Sequence, residues 1–63
     1  MNLKQYIGKN VLITANNGKT FKGIVDDYFY ADETDTGAES IIVQTKEGSV
    51  EFTENDITNI EII

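Results

Sequence analysis

Apolar and polar residues alternate along most of this chain with a period of two. From Val11 to Ala15, Val11, Ile13 and Ala15 fall on one face, and from Phe21 to Val25 the same face is taken by Phe21, Gly23 and Val25. That period belongs to half-buried β-strands. Asn16-Asn17-Gly18-Lys19 joins the two runs, and Asn-Gly supplies the positive φ values of a tight hairpin turn. Gly23 inside the second strand predicts a bend or a close backbone approach. A third strand, Ser40 to Thr45, turns through Glu47-Gly48 into a fourth, Ser49 to Phe52. Thr53-Glu54-Asn55-Asp56 has capping-box spacing, which predicts a 3₁₀ turn before a last strand from Ile57 to Ile62.

At the N-terminus, Asn2 followed by Gln5 has the spacing of a helix start, and Gly8 ends the segment. A short helix here would present Leu3, Tyr6 and Ile7 as its apolar face. The elements together predict an all-β fold: a small closed five-stranded barrel with a short N-terminal helix and a 3₁₀ turn before the last strand. The expected inward set is Val11, Ile13, Phe21, Val25, Ile41, Val43, Val50, Phe52, Ile57, Ile60 and Ile62. Leu12, Ile24, Ile42 and Ile63 fall on the opposite faces. Strand-borne aliphatics there, and a C-terminal edge strand with little to block pairing, predict self-association through strand edges.

The 63 residues make a single domain with a small core. Without Cys or His the chain has no disulfide framework and no common zinc site, and it implies no cofactor. No apolar run reaches the length of a membrane span or a signal peptide, so the expected location is the cytoplasm. The usual nucleophile and base pairs are missing as well, which argues against an enzyme.

Net charge is −6, and its distribution matters more than its size. Lys4, Lys9, Lys19 and Lys22 precede residue 26 with no acid among them, whereas all 11 carboxylates and Lys46 follow. The four lysines are the candidate phosphate contacts of a nucleic-acid binder, a reading the net charge disfavours. Residues 26–39 read as an acidic, aromatic loop without a basic residue. In it Tyr28, Phe29 and Tyr30 offer contact area while Asp32, Glu33 and Asp35 select a basic protein partner. Asp32-x-Thr34-x-Thr36-Gly37 is too poor in carboxylates for a calcium loop, and no metal site is expected.

The pattern resembles the Sm-like (LSM) domains over nearly the whole chain, and most of all the very small bacterial ones. The carrying residues are Ile7-Gly8-Lys9-Asn10-Val11 at the first strand's entry, Asn17-Gly18-Lys19-Thr20-Phe21-Lys22-Gly23-Ile24-Val25 as a first motif, and Ile57-Thr58-Asn59-Ile60 as the end of a second. SH3-like barrels share much of this order. However, no aromatic groove for a polyproline ligand can be assembled: the long first loop is a tight turn here and Trp is absent. The resemblance implies a five-stranded barrel and, in the RNA binders of the family, an Asp and Asn after the second strand and an Arg-Gly pair before the last. This chain has no Asn in the first place and Thr53-Glu54 in the second. It also lacks the Lys-His of the bacterial RNA chaperone. The expectation is therefore a non-enzymatic Sm-like binding or assembly module, with RNA binding as the alternative.

Overall fold

The computed structural model describes Met1–Ile63. A 3₁₀ turn at Leu3–Tyr6 precedes β1 (Asn10–Ala15) and β2 (Thr20–Phe29), and a second such turn at Ala31–Glu33 precedes β3 (Ser40–Thr45) and β4 (Gly48–Thr53). A third, Glu54–Asp56, leads into β5 (Ile57–Ile62). The strands form one antiparallel sheet in the order β4-β3-β2-β1-β5. The sheet curls until Val11, Ile13, Val25, Ile41, Val43, Phe52 and Ile57, from all five strands, meet in one core. It does not close by pairing: β4 and β5 remain its two edges, and the Glu54–Asp56 turn occupies the corner between them.

Leu3 is the plug of this core. It is fully buried, although the N-terminal segment is a single 3₁₀ turn whose residue Asn2 makes no side-chain cap. Tyr6 packs against the core while Ile7 is exposed, so the expected three-residue apolar face is reduced to two. Ile62 likewise belongs outside, more than half exposed at the end of the last strand. Phe21, Val50 and Ile60 are partly buried against the core, with Phe21 edge-on to Phe52 at 5.1 Å.

The first hairpin differs from a turn with two positive φ values. Only Gly18 adopts one, at 85°, whereas no non-glycine residue does. Gly18 N–H donates to Ala15, Ala15 N–H donates to Lys19, and the Asn17 Oδ1 accepts from Lys19 N–H. The result is a turn closed by a glycine bulge, which still gives the twist a hairpin needs. Gly23 makes the predicted close approach: a Cβ there would collide with the Gln44 carbonyl of β3. Thr53-Glu54-Asn55-Asp56 also behaves as expected, because the Asp56 Oδ2 accepts from both Thr53 N–H, at 2.9 Å, and Thr53 Oγ1.

The largest departure is β2, which does not stop at Val25. A register shift between Val25 and Asp27 skips Asp26, after which Asp27, Tyr28 and Phe29 continue to pair with Ile42, Ile41 and Ser40. The acidic pair that opens the expected loop thus lies at a β-bulge within the strand. The first four residues of the expected acidic loop are strand, and Ala31–Glu33 is a 3₁₀ turn.

Candidate functional site

Because β2 continues, its aromatics are distributed by strand alternation rather than gathered on one surface. Tyr28 points inward with its partner Ile41 and packs against the core. Tyr30 lies edge-on to it, ring centroids 5.2 Å apart. Lys4 donates to the Tyr30 hydroxyl at 2.7 Å, and Leu3 N–H donates to Glu39 at 3.0 Å. These contacts fasten the N-terminal turn to the end of β2 and the start of β3. The hydrogen bond to Tyr30 raises the Lys4 pKa above its ordinary value. Desolvation first, and the Glu39 charge second, raise that of Tyr28.

Phe29 points the other way. It shares the outer face with Ile42 and forms part of a hollow of about 600 Å³ with Glu33, Thr34, Asp35, Thr36, Glu51, Thr53 and Asp56. Each element has a defined part in this. The β2–β3–β4 register sets Phe29, Ile42, Glu51 and Thr53 on one face, and the chain from Glu33 to Thr36 forms one wall. The capping turn after β4 brings in Asp56. Ser40, in register between Phe29 and Thr53, is fully buried and its Oγ has no hydrogen-bond partner.

Four carboxylates line the hollow and no basic side chain does. Glu33 uses Oε1 to accept from Tyr30 N–H and Asp56 uses Oδ2 on Thr53, while Asp35 and Glu51 make no hydrogen bond. The chain's one ion pair joins its N-terminus to Glu54, so none of the four is neutralised internally. Nowhere do three or more carboxylates converge closely enough to hold a metal.

A second hollow of about 310 Å³ adjoins the first and shares Glu51 and Asp56 with it. Ala15, Asn16, Asn17, Phe21 and Phe52 complete its lining. Glu51 and Phe52 lie on opposite faces of β4, so this hollow straddles the strand's free edge. The first hairpin is held here by its turn, since Asn16 N–H and Nδ2 donate to the Asp56 and Asn55 carbonyls and Thr58 Oγ1 donates to Asn16.

Of the six residues expected to form a partner surface, Phe29, Glu33 and Asp35 line the hollow. Tyr28 and Tyr30 instead seat the N-terminal turn, and Asp32 is exposed outside the lining. The four lysines do not gather either. Lys19 is at the tip of the first hairpin and Lys9 is at the far end of β1, about 20 Å away for a strand of that length. Lys4 is bound to Tyr30, and Lys22 lies near Lys46 and Glu47. In the sequence, Glu51, Thr53 and Asp56 read only as strand and cap positions. Their only sequence signal was an outward-facing Glu beside a capping box.

No protein-family model matches the chain, and no curated protein sequence matches it. Its fold does have a solved counterpart. The structure described as YaeO bound to magnesium, from Vibrio cholerae O395, is similar with a TM-score of 0.70 at 16% sequence identity, over 89% of this chain and 69% of that one. At that identity the likeness concerns the arrangement of the strands.

Proposed function

We propose that the chain is a small, non-enzymatic binding module on an Sm-like barrel scaffold, and that it captures a basic segment of a protein partner in the acidic hollow on the outer face of β2, β3 and β4. One observation carries this reading: Glu33, Asp35, Glu51 and Asp56 surround Phe29 and Ile42 with no internal counter-charge. Carboxylates on a concave apolar floor act at lower dielectric than on open surface, so a Lys or Arg that reaches them is both attracted and packed. The strand order and the N-terminal turn support the Sm-like scaffold. The scattered lysines and the acidic balance argue against RNA as the ligand.

Titration with a lysine-rich peptide at low and then moderate salt tests the proposal. Binding that weakens with salt and shifts the amide signals of Phe29, Asp35 and Glu51 supports it. Shifts confined to other faces, or no binding at low salt, would overturn it. Exposed aliphatics favour a second, independent property. Ile63 N–H bonds to Asn10, which pairs with Ile24, so Ile63 and Ile24 flank Asn10 on one outer face beside the open β5 edge. Self-association through that face predicts a dimer or larger species by native mass spectrometry; a monomer at high micromolar concentration would exclude it.

A further inference from the structure

The basic segment has a definite conformation and side-chain pattern, a conclusion that rests on the reading above. In the β3–β4 ladder, Glu54 N–H donates to the Glu39 carbonyl at 2.9 Å, which makes Ser40↔Thr53 a pair that does not exchange hydrogen bonds directly. Antiparallel pairs alternate, so Ile41↔Phe52 and Val43↔Val50 face each other through hydrogen bonds, while the N–H and C=O groups of Ser49, Glu51 and Thr53 point away from β3. Thr53 N–H is taken by Asp56. Ser49 and Glu51 therefore present an unpaired stretch of backbone at the sheet edge, and an unpaired edge is a template for another strand.

The surroundings of that stretch differ on its two sides. Outward lies the acidic hollow with Glu51 on its lining; toward the core lies the Phe21–Phe52 pair in the smaller hollow, with Glu51 and Asp56 common to both. Successive side chains of a strand added at this edge would enter the two environments in turn. We infer that β4 accepts an extended segment of another protein in which Lys or Arg alternates with an apolar residue, its main chain pairing with Ser49 and Glu51. Its basic side chains lie among Glu33, Asp35, Glu51 and Asp56, and its apolar ones against Phe21 and Phe52. This is strand addition, in which main-chain bonds hold the peptide and alternate pockets choose it. A second copy of the chain is a poorer occupant, because its own edge strand β5 brings Glu61 and no basic residue.

An octapeptide of alternating lysine and valine, capped at both ends, is the probe. Its comparators are a block isomer of the same composition and two forms N-methylated at the odd or the even residues. The expected result is that one N-methylated form and the block isomer bind about tenfold or more weaker, while the complementary form binds within about twofold of the parent. Amide exchange at Ser49 and Glu51 should slow in the complex. Equal binding by all four peptides would overturn strand addition and leave capture of basic groups standing. Absence of binding by any of them at low salt would overturn both. Protection of Ser49 and Glu51 that rises with protein concentration alone would assign the edge to a second copy and overturn the inference.

Discussion

Glu39 and Glu51 both belong to the β3–β4 region of the sheet, yet their surroundings give them opposite roles. Glu39, just before β3, accepts the amide of Leu3 and stands beside Tyr28, so its charge holds the plug of the core in place. Glu51, in the middle of β4, has no hydrogen-bond partner and no cation, and faces a hollow with three other carboxylates. Glu33 and Asp56 combine the two roles, one oxygen capping a 3₁₀ turn and the other left for the hollow. In so acidic a chain, charge alone does not separate carboxylates tied into the fold from those left unpaired. Their hydrogen-bond partners do.

The largest effect is expected at the N-terminal turn. Leu3→Ala empties a fully buried site, and the expected loss is about 2–5 kcal/mol by denaturant titration, a large fraction of the stability of a domain this small. A loss below about 1 kcal/mol would mean that the turn is not part of the core. Asp56→Ala removes a cap and should cost about 1–2 kcal/mol, whereas Glu51→Gln should leave stability within about 0.5 kcal/mol or raise it by relieving repulsion. Equal losses for the two would erase the distinction between carboxylates tied into the fold and those left unpaired.

Alkaline pH probes the attachment of the N-terminal turn more gently. The folded-state pKa values of Lys4 and Tyr28 are both raised, Lys4 by its hydrogen bond to Tyr30 and Tyr28 by desolvation. The folded protein therefore holds these protons more tightly than the unfolded chain does. Their contribution is complete below the ordinary pKa values and is lost as pH rises through the raised ones. Stability should be flat in this respect to about pH 9 and decline above about pH 10, and Lys4→Met with Tyr28→Phe should flatten the decline. The smallest effect is expected at Ser40. Its buried hydroxyl has no partner, so Ser40→Ala should be neutral or slightly stabilising in thermal unfolding. A marked loss would reveal a bond that the hydroxyl makes in solution.

Much of the scaffold was legible because its signals are local. Alternation located β1, β3, β4 and β5 to within a residue or two, Gly23 announced the close approach of β3, and Thr53 with Asp56 announced the corner turn. The end of β2 was hidden because Asp26-Asp27 is turn chemistry locally, and only pairing with β3 carries the strand past the bulge. Leu3 was visible as apolar, but its position at the centre of the core is a tertiary fact. The hollow was half legible for a similar reason. Phe29, Glu33 and Asp35 are neighbours in sequence, while Glu51 and Asp56 reach them only through the β3–β4 ladder and the capping turn. Tyr28 and Phe29 are separated because a strand sends neighbouring side chains to opposite faces, and Tyr30, just past the end of β2, lies edge-on to Tyr28.

The most direct measurement of the central claim is the affinity of the alternating lysine–valine peptide for the double variant Asp35→Asn with Glu51→Gln, compared with the parent protein and read by calorimetry alongside the melting temperature. Neither residue caps a turn or bonds to backbone, so the melting temperature should hold or rise. Affinity should fall about tenfold or more at low salt. Unchanged affinity in a variant that melts normally would contradict the account.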